Sequence, residues 1–387
     1  MAENVRPRSN SYIALFAVCL IAALTSACNA ASAQPLAGET IVYVAVPLSG
    51  FRADAGQSAL GGVRLAAAEI NSNGGLLGRR IVVRALNDRS ENYAALENAE
   101  RIRLALAGGE HIAGLIGHLD SGPTSSALPL YEELGIVQIT PAAGMRALTH
   151  RGHTMFFRVN ANDSTQAEAA ARFLVHTMSS QRVAVVHSET DYGSSLAASL
   201  VENLQALGAA TAIQLAVAEE QPDFSETVQQ IQSAEADSIF FAGDASAAHD
   251  LRASLLEAKL NLPLLAGDRA FLAAEVDQAD PAAAAMYVSA LAPSPFIVAG
   301  AGWIEAYRDT EYRDPGPFSV NGYIAMQVLA AGVRAAGSFH GHEIAQAIRE
   351  NESETFLGPL RFKANGDLVD ASVWFYKVED GEFRPIE

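Results

Sequence analysis

From Ile41 onward the chain alternates short, uninterrupted apolar runs with longer stretches whose apolar residues recur every three or four positions. The runs at 41–46, 81–86, 111–116 and 136–139 are rich in Ile and Val and lack the polar alternation of a strand with one wet face. Such strands are buried on both faces, which calls for a parallel sheet with helices on either side. Stretches 57–71, 93–107 and 121–134, between the runs, have helical spacing. The alternation then restarts, with strands at 183–187, 212–217, 238–242 and 262–266 and helices at 165–178, 194–207, 224–233 and 247–259. Two α/β units in series are expected. With 387 residues, half of them apolar, the chain is long enough for two cores.

Local punctuation sets the boundaries. Thr165 with Glu168 reads as a capping box, and Asn73-Gly74-Gly75 supplies residues that tolerate the left-handed turn ending a helix. Residues 146–160, richer in Arg, His and Thr, read as the first connection between the units. Beyond residue 290 come prolines at 293 and 295, helical stretches 303–308 and 320–335, a Gly358-Pro359 break, and a hairpin-like tail, 360–377, turning at Asn365-Gly366-Asp367.

At the front, Arg6 and Arg8 precede the apolar run 12–24, and Ala31-Ser32-Ala33 follows it. This is the layout of a secretory leader cleaved after residue 33, and the run is shorter than the roughly 20 residues of a membrane span. The protein is therefore expected in the periplasm. Leu24-Thr25-Ser26-Ala27-Cys28 resembles a lipoprotein box, so a lipid anchor at Cys28 is the alternative. Both cysteines, Cys19 and Cys28, lie in this leader, so disulfides, thiolate zinc sites and cysteine nucleophiles are not expected in the exported protein. A formal charge of -18 repels phosphate backbones, which excludes nucleic acid as a partner, and it opposes self-association, so a monomer is expected.

Enzyme signatures are sparse. The chain has no G-x-S-x-G elbow, Walker loop, G-x-G-x-x-G after a strand, or H-E-x-x-H. The histidine pairs His150/His153 and His340/His342 sit in polar connections, so no metal and no cofactor are expected. Attention falls on the loops after the strands, because open parallel sheets bind ligands at the carboxyl ends of their strands. In Gly117-His118-Leu119-Asp120-Ser121, the Ser121 hydroxyl lies at a helix N-terminus, suited to a carboxylate or to capping the helix. Thr140-Pro141-Ala142-Ala143-Gly144 lets backbone groups approach a ligand. Tyr192 opens a helix in the second unit and could close over a ligand or pack within its own unit. Asp268, and likewise Asp244, could hold an ammonium or pair with Arg269. A hydrolase using Ser121 with His118 as base is the enzymatic alternative, disfavoured by the missing elbow.

An ordered set of motifs completes the reading: Pro47-Leu48-Ser49-Gly50, Ala68-Glu69-Ile70-Asn71 with Gly74-Gly75 and Gly78, Gly117-His118-Leu119, Ile139-Thr140-Pro141-Ala142-Ala143, Leu148-Thr149 with Arg151-Gly152, Asp163-Ser164 with Gln166, Tyr192-Gly193, Asp223-Phe224, and Gly358-Pro359-Leu360 with Gly366-Asp367. In order and spacing, from about residue 41 to 376, they resemble the Leu/Ile/Val-type periplasmic substrate-binding proteins of ABC transporters. The resemblance implies an α/β type I periplasmic-binding-protein fold, with two Rossmann-like lobes joined by a three-crossing hinge and a ligand cleft between them. It implies lobe 1 at 40–160 plus 292–355 and lobe 2 at 161–291 plus 356–387. The implied function is delivery of an amino acid or related small polar ligand to permease subunits, without covalent chemistry. By the same resemblance Ser121 and Ala142 would hold the ligand carboxylate, Asp268 the ammonium, and Tyr192 would close over it. The sequence departs from the family at Gly144, where a threonine is expected, at Ala55, where an aromatic is expected, and at Asp244, where a tyrosine is expected. Asp120 stands where small or apolar residues are usual, with Leu119 beside it. Three carboxylates around a cleft argue for added positive charge, hydrogen-bond donors or water rather than a branched aliphatic chain. A ligand-sensing protein on this fold, or a binder of an amide, polyamine or aromatic acid, is the alternative function.

Overall fold

The computed structural model describes residues 1, 36–218, 221–271, 286–379 and 381–386. The leader from residue 2 onward and Cys28 lie outside the described residues. Five parallel strands form the first sheet in the order β2-β1-β3-β4-β5: β1 (Glu39–Val46), β2 (Arg80–Asn87), β3 (Ile112–Gly117), β4 (Gln138–Thr140) and β5 (Phe156–Arg158). Between them run α1 (Ala53–Ser72), α2 (Asn92–Ala107), α3 (Ser121–Glu133) and the short α4 (Ala147–His150). The continuous apolar run of β1 serves two faces. Val42, Val44 and Val46 join one buried cluster, and Ile41, Tyr43 and Ala45 join another on the opposite side.

The second sheet has seven strands in the order β14-β13-β10-β9-β8-β6-β7. Its parallel part is β6 (Arg182–Ser188), β7 (Ala210–Val217), β8 (Ser238–Ala242), β9 (Leu264–Ala266) and β10 (Tyr287–Ala290). An antiparallel pair, β13 (Trp374–Glu379) and β14 (Glu382–Pro385), extends the edge beyond β10. Helices α5 (Asp163–Arg172), α6 (Asp191–Ala206), α7 (Ser225–Ser233) and α8 (Ala245–Glu257) belong to this half. The chain then returns through α9 (Pro295–Val298) and α10 (Ala301–Glu311) to α11 (Phe318–Ala336), which lies against α1, and to α12 (Gly341–Glu350). A two-stranded ribbon, β11 (Ser353–Thr355) with β12 (Gly358–Leu360), precedes the last passage to the second sheet.

Three expectations are corrected. Residues 146–160 are not simply a connection: they hold α4 and β5, the fifth strand of the first sheet, whose Phe156 and Phe157 are fully buried. The cap of α5 is Asn162, whose Oδ1 accepts the Thr165 backbone N–H at 2.9 Å, so the helix starts at Asp163, ahead of the Thr165–Glu168 box. The 360–377 hairpin reduces to a single bridge, Phe362 with Leu368, around the predicted turn. Before that turn Phe362 sets its ring edge-on to Phe157 at 5.3 Å, and the Gly366 carbonyl accepts from Arg158 N–H at 3.1 Å. Trp374 onward departs to pair with β10 in the other sheet. The chain thus passes between the two sheets three times, after β5, after β10 and before β13. Asn321 of α11 ties the second crossing to the loop after β4, its Nδ2 donating to the carbonyls of Leu291 at 3.1 Å and Pro141 at 2.8 Å.

Candidate functional site

Parallel winding brings the loops after β1, β3 and β4 of the first sheet, and after β6, β8 and β9 of the second, to the carboxyl ends of their strands. Arg52 ends the loop after β1 and precedes α1, and Asp120 precedes α3. From the other half come Asp244 at the start of α8, Tyr192 at the start of α6, and Asp268 and Arg269 just after β9. These side chains meet between the sheets. Arg269 Nη2 donates to Asp120 Oδ1 at 2.7 Å, and its Nη1 to Asp244 Oδ1 at 3.3 Å. Arg52 closes the figure, with Nε 3.3 Å from Asp120 Oδ1 and Nη1 3.9 Å from Asp244 Oδ1. All four side chains are buried, and each arginine touches an aspartate of either half.

The electrostatics follow from this crossed arrangement. Burial alone would raise the Asp120 carboxyl, but Arg52 and Arg269, helped by the Ser90 hydroxyl, outweigh it and hold the group down at about 2. Burial works against the Arg269 cation, yet Asp120 and Asp244 keep it protonated, with its pKa raised. Its guanidinium also lies over the Tyr192 ring, 4.7 Å from the centroid. Tyr192 in turn donates its hydroxyl to Asp268 Oδ1 at 2.9 Å. A Cβ on Gly267 would stand 2.3 Å from that hydroxyl oxygen, so glycine is required for the contact. Burial pushes the Asp268 carboxyl upward, only partly offset by the Tyr192 hydroxyl and by Arg52.

Asp120, Asp244, Asp268 and Tyr192, all singled out from sequence, therefore share one buried site. The expected trio of uncompensated carboxylates is corrected: two arginines lie among them. Asp268 does not pair with its neighbour Arg269 at the surface. No motif of the sequence singles out Arg52, and Arg269 reads there only as a surface partner of Asp268. The signal was available in the loop Gly50-Phe51-Arg52, which follows β1 as Asp120 follows β3. Its neighbour Phe51 is exposed, and nothing in the chain marks which of the two points inward.

The first-sheet loops are more self-contained than expected. Ser121 is the first residue of α3, and its Oγ accepts the Met145 N–H at 3.1 Å, so it braces the loop after β4 rather than capping its own helix. The Ala142 N–H donates to Thr140 Oγ1 at 3.2 Å and its carbonyl accepts from Asn160 at 3.1 Å, which engages both backbone groups within the chain. Leu119 is buried in the hydrophobic core. At Gly144 a Cβ would lie 2.1 Å from Asp163 Oδ1, so the carboxylate occupies the space that a side chain there would need. His118 turns away from Ser121, with Nδ1 2.6 Å from Asp88 Oδ2 and Nε2 3.1 Å from the Tyr131 hydroxyl, so the serine–histidine pair of the hydrolase reading is not formed.

Behind the cleft Arg158, fully buried, binds the crossings together. It reaches Asp367 at 2.7 Å, the Ala143 carbonyl at 2.8 Å and Thr149 Oγ1 at 3.0 Å, while Asp367 also accepts from Asn162 at 3.1 Å. Among the described residues no cluster of His, Cys, Asp and Glu could hold a metal ion, and no helix is long and apolar enough to cross a membrane.

Two α/β halves, linked by three crossings and burying charged side chains of both halves between their strand ends, define a two-lobed clamp of the type I periplasmic binding-protein fold. The sequence agrees: residues 42–382 match the profile of the periplasmic binding protein family, and the chain belongs to that family. The Leu/Ile/Val-binding protein of Citrobacter freundii is 28% identical over 348 residues, covering 89% of this chain and 93% of that one. The leucine-specific-binding protein of Salmonella typhimurium is 27% identical, covering 88% and 90%. Among solved structures, a leucine binding protein of Thermotoga maritima superposes with a TM-score of 0.81 at 23% identity, covering 90% of this chain and 98% of that one.

Proposed function

We propose that this protein is the extracytoplasmic substrate-binding component of an ABC importer. It closes its lobes by hinge motion on a polar, zwitterionic small molecule, an amino acid or a close relative, and presents it to permease subunits. The observation that carries this reading is the crossed quartet of Arg52, Asp120, Asp244 and Arg269. Two of its pairs, Arg52 with Asp244 and Arg269 with Asp120, cross between the lobes, so they form and break as one lobe moves against the other. The names of the curated relatives, which are amino acid-binding proteins rather than enzymes, support the class.

In this reading Asp268 and Tyr192 receive the ligand's ammonium, with Gly144 at that end, while Ser121 and Ala142 face its carboxylate. The quartet, including Asp120 and Asp244, surrounds the side chain, with Leu119 as core support behind it. Arg52 Nε and Nη1 and Asp120 Oδ2 have no hydrogen bond of regular geometry within the chain, and a branched aliphatic side chain would supply none. The ligand's side chain is therefore polar. We place lobe 1 at residues 40–160 and 292 to about 369, and lobe 2 at 161–291 and about 370–387, because residues 361–368 contact β5. The protein acts as a periplasmic monomer, without cofactor or turnover. Native mass spectrometry of protein purified from the periplasm without denaturant tests the reading. It should show a co-purified amino acid or amide with a polar side chain, and recovery of leucine, isoleucine or valine would contradict it.

A further inference from the structure

Asp163 opens α5, immediately after the first crossing, and is fully buried. Neither carboxylate oxygen has a hydrogen bond of regular geometry, a costly state for a group removed from water, and the Ser195 hydroxyl is the side-chain donor that acts on it. Its placement is specific. The carboxylate points at the ligand-facing loop after β4, with Oδ1 where a side chain on Gly144 would begin, while the Asp163 N–H donates to the Gly144 carbonyl at 2.8 Å. It also feels the charges of Asp268 and Arg269, which belong to the site already described.

We propose that Asp163 is a ligand-binding residue, a second carboxylate that receives the ammonium of an amino acid together with Asp268. The inference rests on the amino-acid reading above and adds a specificity element to it. A ligand N–H would give these oxygens the well-formed hydrogen bond that they lack within the chain. Glycine at position 144 leaves open the space this carboxylate fills. Two acids at the ammonium end select molecules bearing a free amine and reject their desamino analogues, which would bring no cation to either buried carboxylate.

Protonation follows. The groups that act on Asp163 are Arg158 from β5, Asp268 and Arg269 after β9, and Tyr192 and Ser195 of α6. Burial, reinforced by Asp268, raises the carboxyl to about 7 against the lowering effects of Ser195, Arg158 and Arg269. An ammonium binds the ionised form, so binding expels a proton, and affinity rises with pH through that value.

The test titrates the intact protein with the twenty L-amino acids by calorimetry, then repeats the tightest with its desamino analogue and with D163N. The wild type should gain about tenfold in affinity between pH 6 and pH 8, as its ionised fraction grows by that factor. D163N should bind at least about tenfold more weakly at pH 8 and show a flat pH profile, with a melting temperature no lower than wild type. If D163N does not fold, the heat of binding to wild type in two buffers of different ionisation enthalpy gives the same answer. It should report roughly half a proton released at pH 7. Tight binding with no proton release, or D163N equal to wild type, overturns the role of Asp163 while leaving the amino-acid reading standing. Binding of the desamino analogue as tightly as the amino acid overturns it too, and no binding of any amino acid overturns both.

Discussion

Replacing Asp120 by Asn removes one negative corner of the quartet and leaves Arg52 and Arg269 to share Asp244, at 3.9 and 3.3 Å. The folded protein holds the Asp120 carboxyl at about 2 rather than the ordinary 3.8, which at 1.36 kcal/mol per pH unit favours the ionised fold by about 2 kcal/mol. Breaking a buried pair by removing one partner costs about 3–5 kcal/mol. D120N should therefore lose about 2–5 kcal/mol in urea denaturation at pH 7. Asp120 has a depressed folded pKa, so its contribution is complete above about pH 4 and is lost as pH falls toward 2. The gap between wild type and variant should close over that same range. Adding Arg52→Met should recover part of the loss, because Asp244 then faces one arginine of the quartet instead of two. A change below about 0.5 kcal/mol, or a gap independent of pH, would refute the argument that the quartet is a coupled buried unit.

Three further outcomes are expected. Gly144→Thr places a Cβ 2.1 Å from Asp163 Oδ1 and should cost about 1–3 kcal/mol in thermal denaturation, with much of it restored when Asp163→Ala is added. Asp268→Ala should weaken amino acid binding by about 2–5 kcal/mol in calorimetry, because a bound ammonium would lose its partner; unchanged affinity would remove Asp268 from the site. Arg158→Met strands Asp367 among buried neighbours and should destabilise the fold by about 3–5 kcal/mol, less when Asp367→Asn accompanies it, as equilibrium denaturation of both would show.

Much of the scaffold is legible in the chain because strands buried on both faces leave an unmistakable trace. The valines of β1 alternate with Ile41, Tyr43 and Ala45, and both sets need a dry neighbour. Short elements are harder to read. The three-residue β5 sits among Arg, His and Thr residues, and its place is fixed by Arg158 contacts to loops far away in sequence. The tail misleads for the same reason: its turn at Asn365–Asp367 is real, but the strand after it pairs with β10 rather than folding back. In the site, acidic residues stand out when they follow buried strands. Their partners do not, since an arginine reads as surface until its aspartate, 149 positions away in the case of Arg269 and Asp120, is known to face it. Gly144 and Asp163 are each visible as single residues, yet their exchange of space is a property of the fold alone.

The central claim, a clamp for a polar amino acid, is tested most directly by a thermal-shift screen. The periplasmic protein is first unfolded and refolded to strip bound ligand, then offered each amino acid together with amides, polyamines and aromatic acids. A ligand at 100 times its dissociation constant adds about 2.7 kcal/mol and raises the melting midpoint measurably. The account predicts a clear shift with one or more amino acids carrying polar side chains and none with leucine, isoleucine or valine. A shift with those three alone would show that the buried quartet does not shape the pocket and would contradict the account.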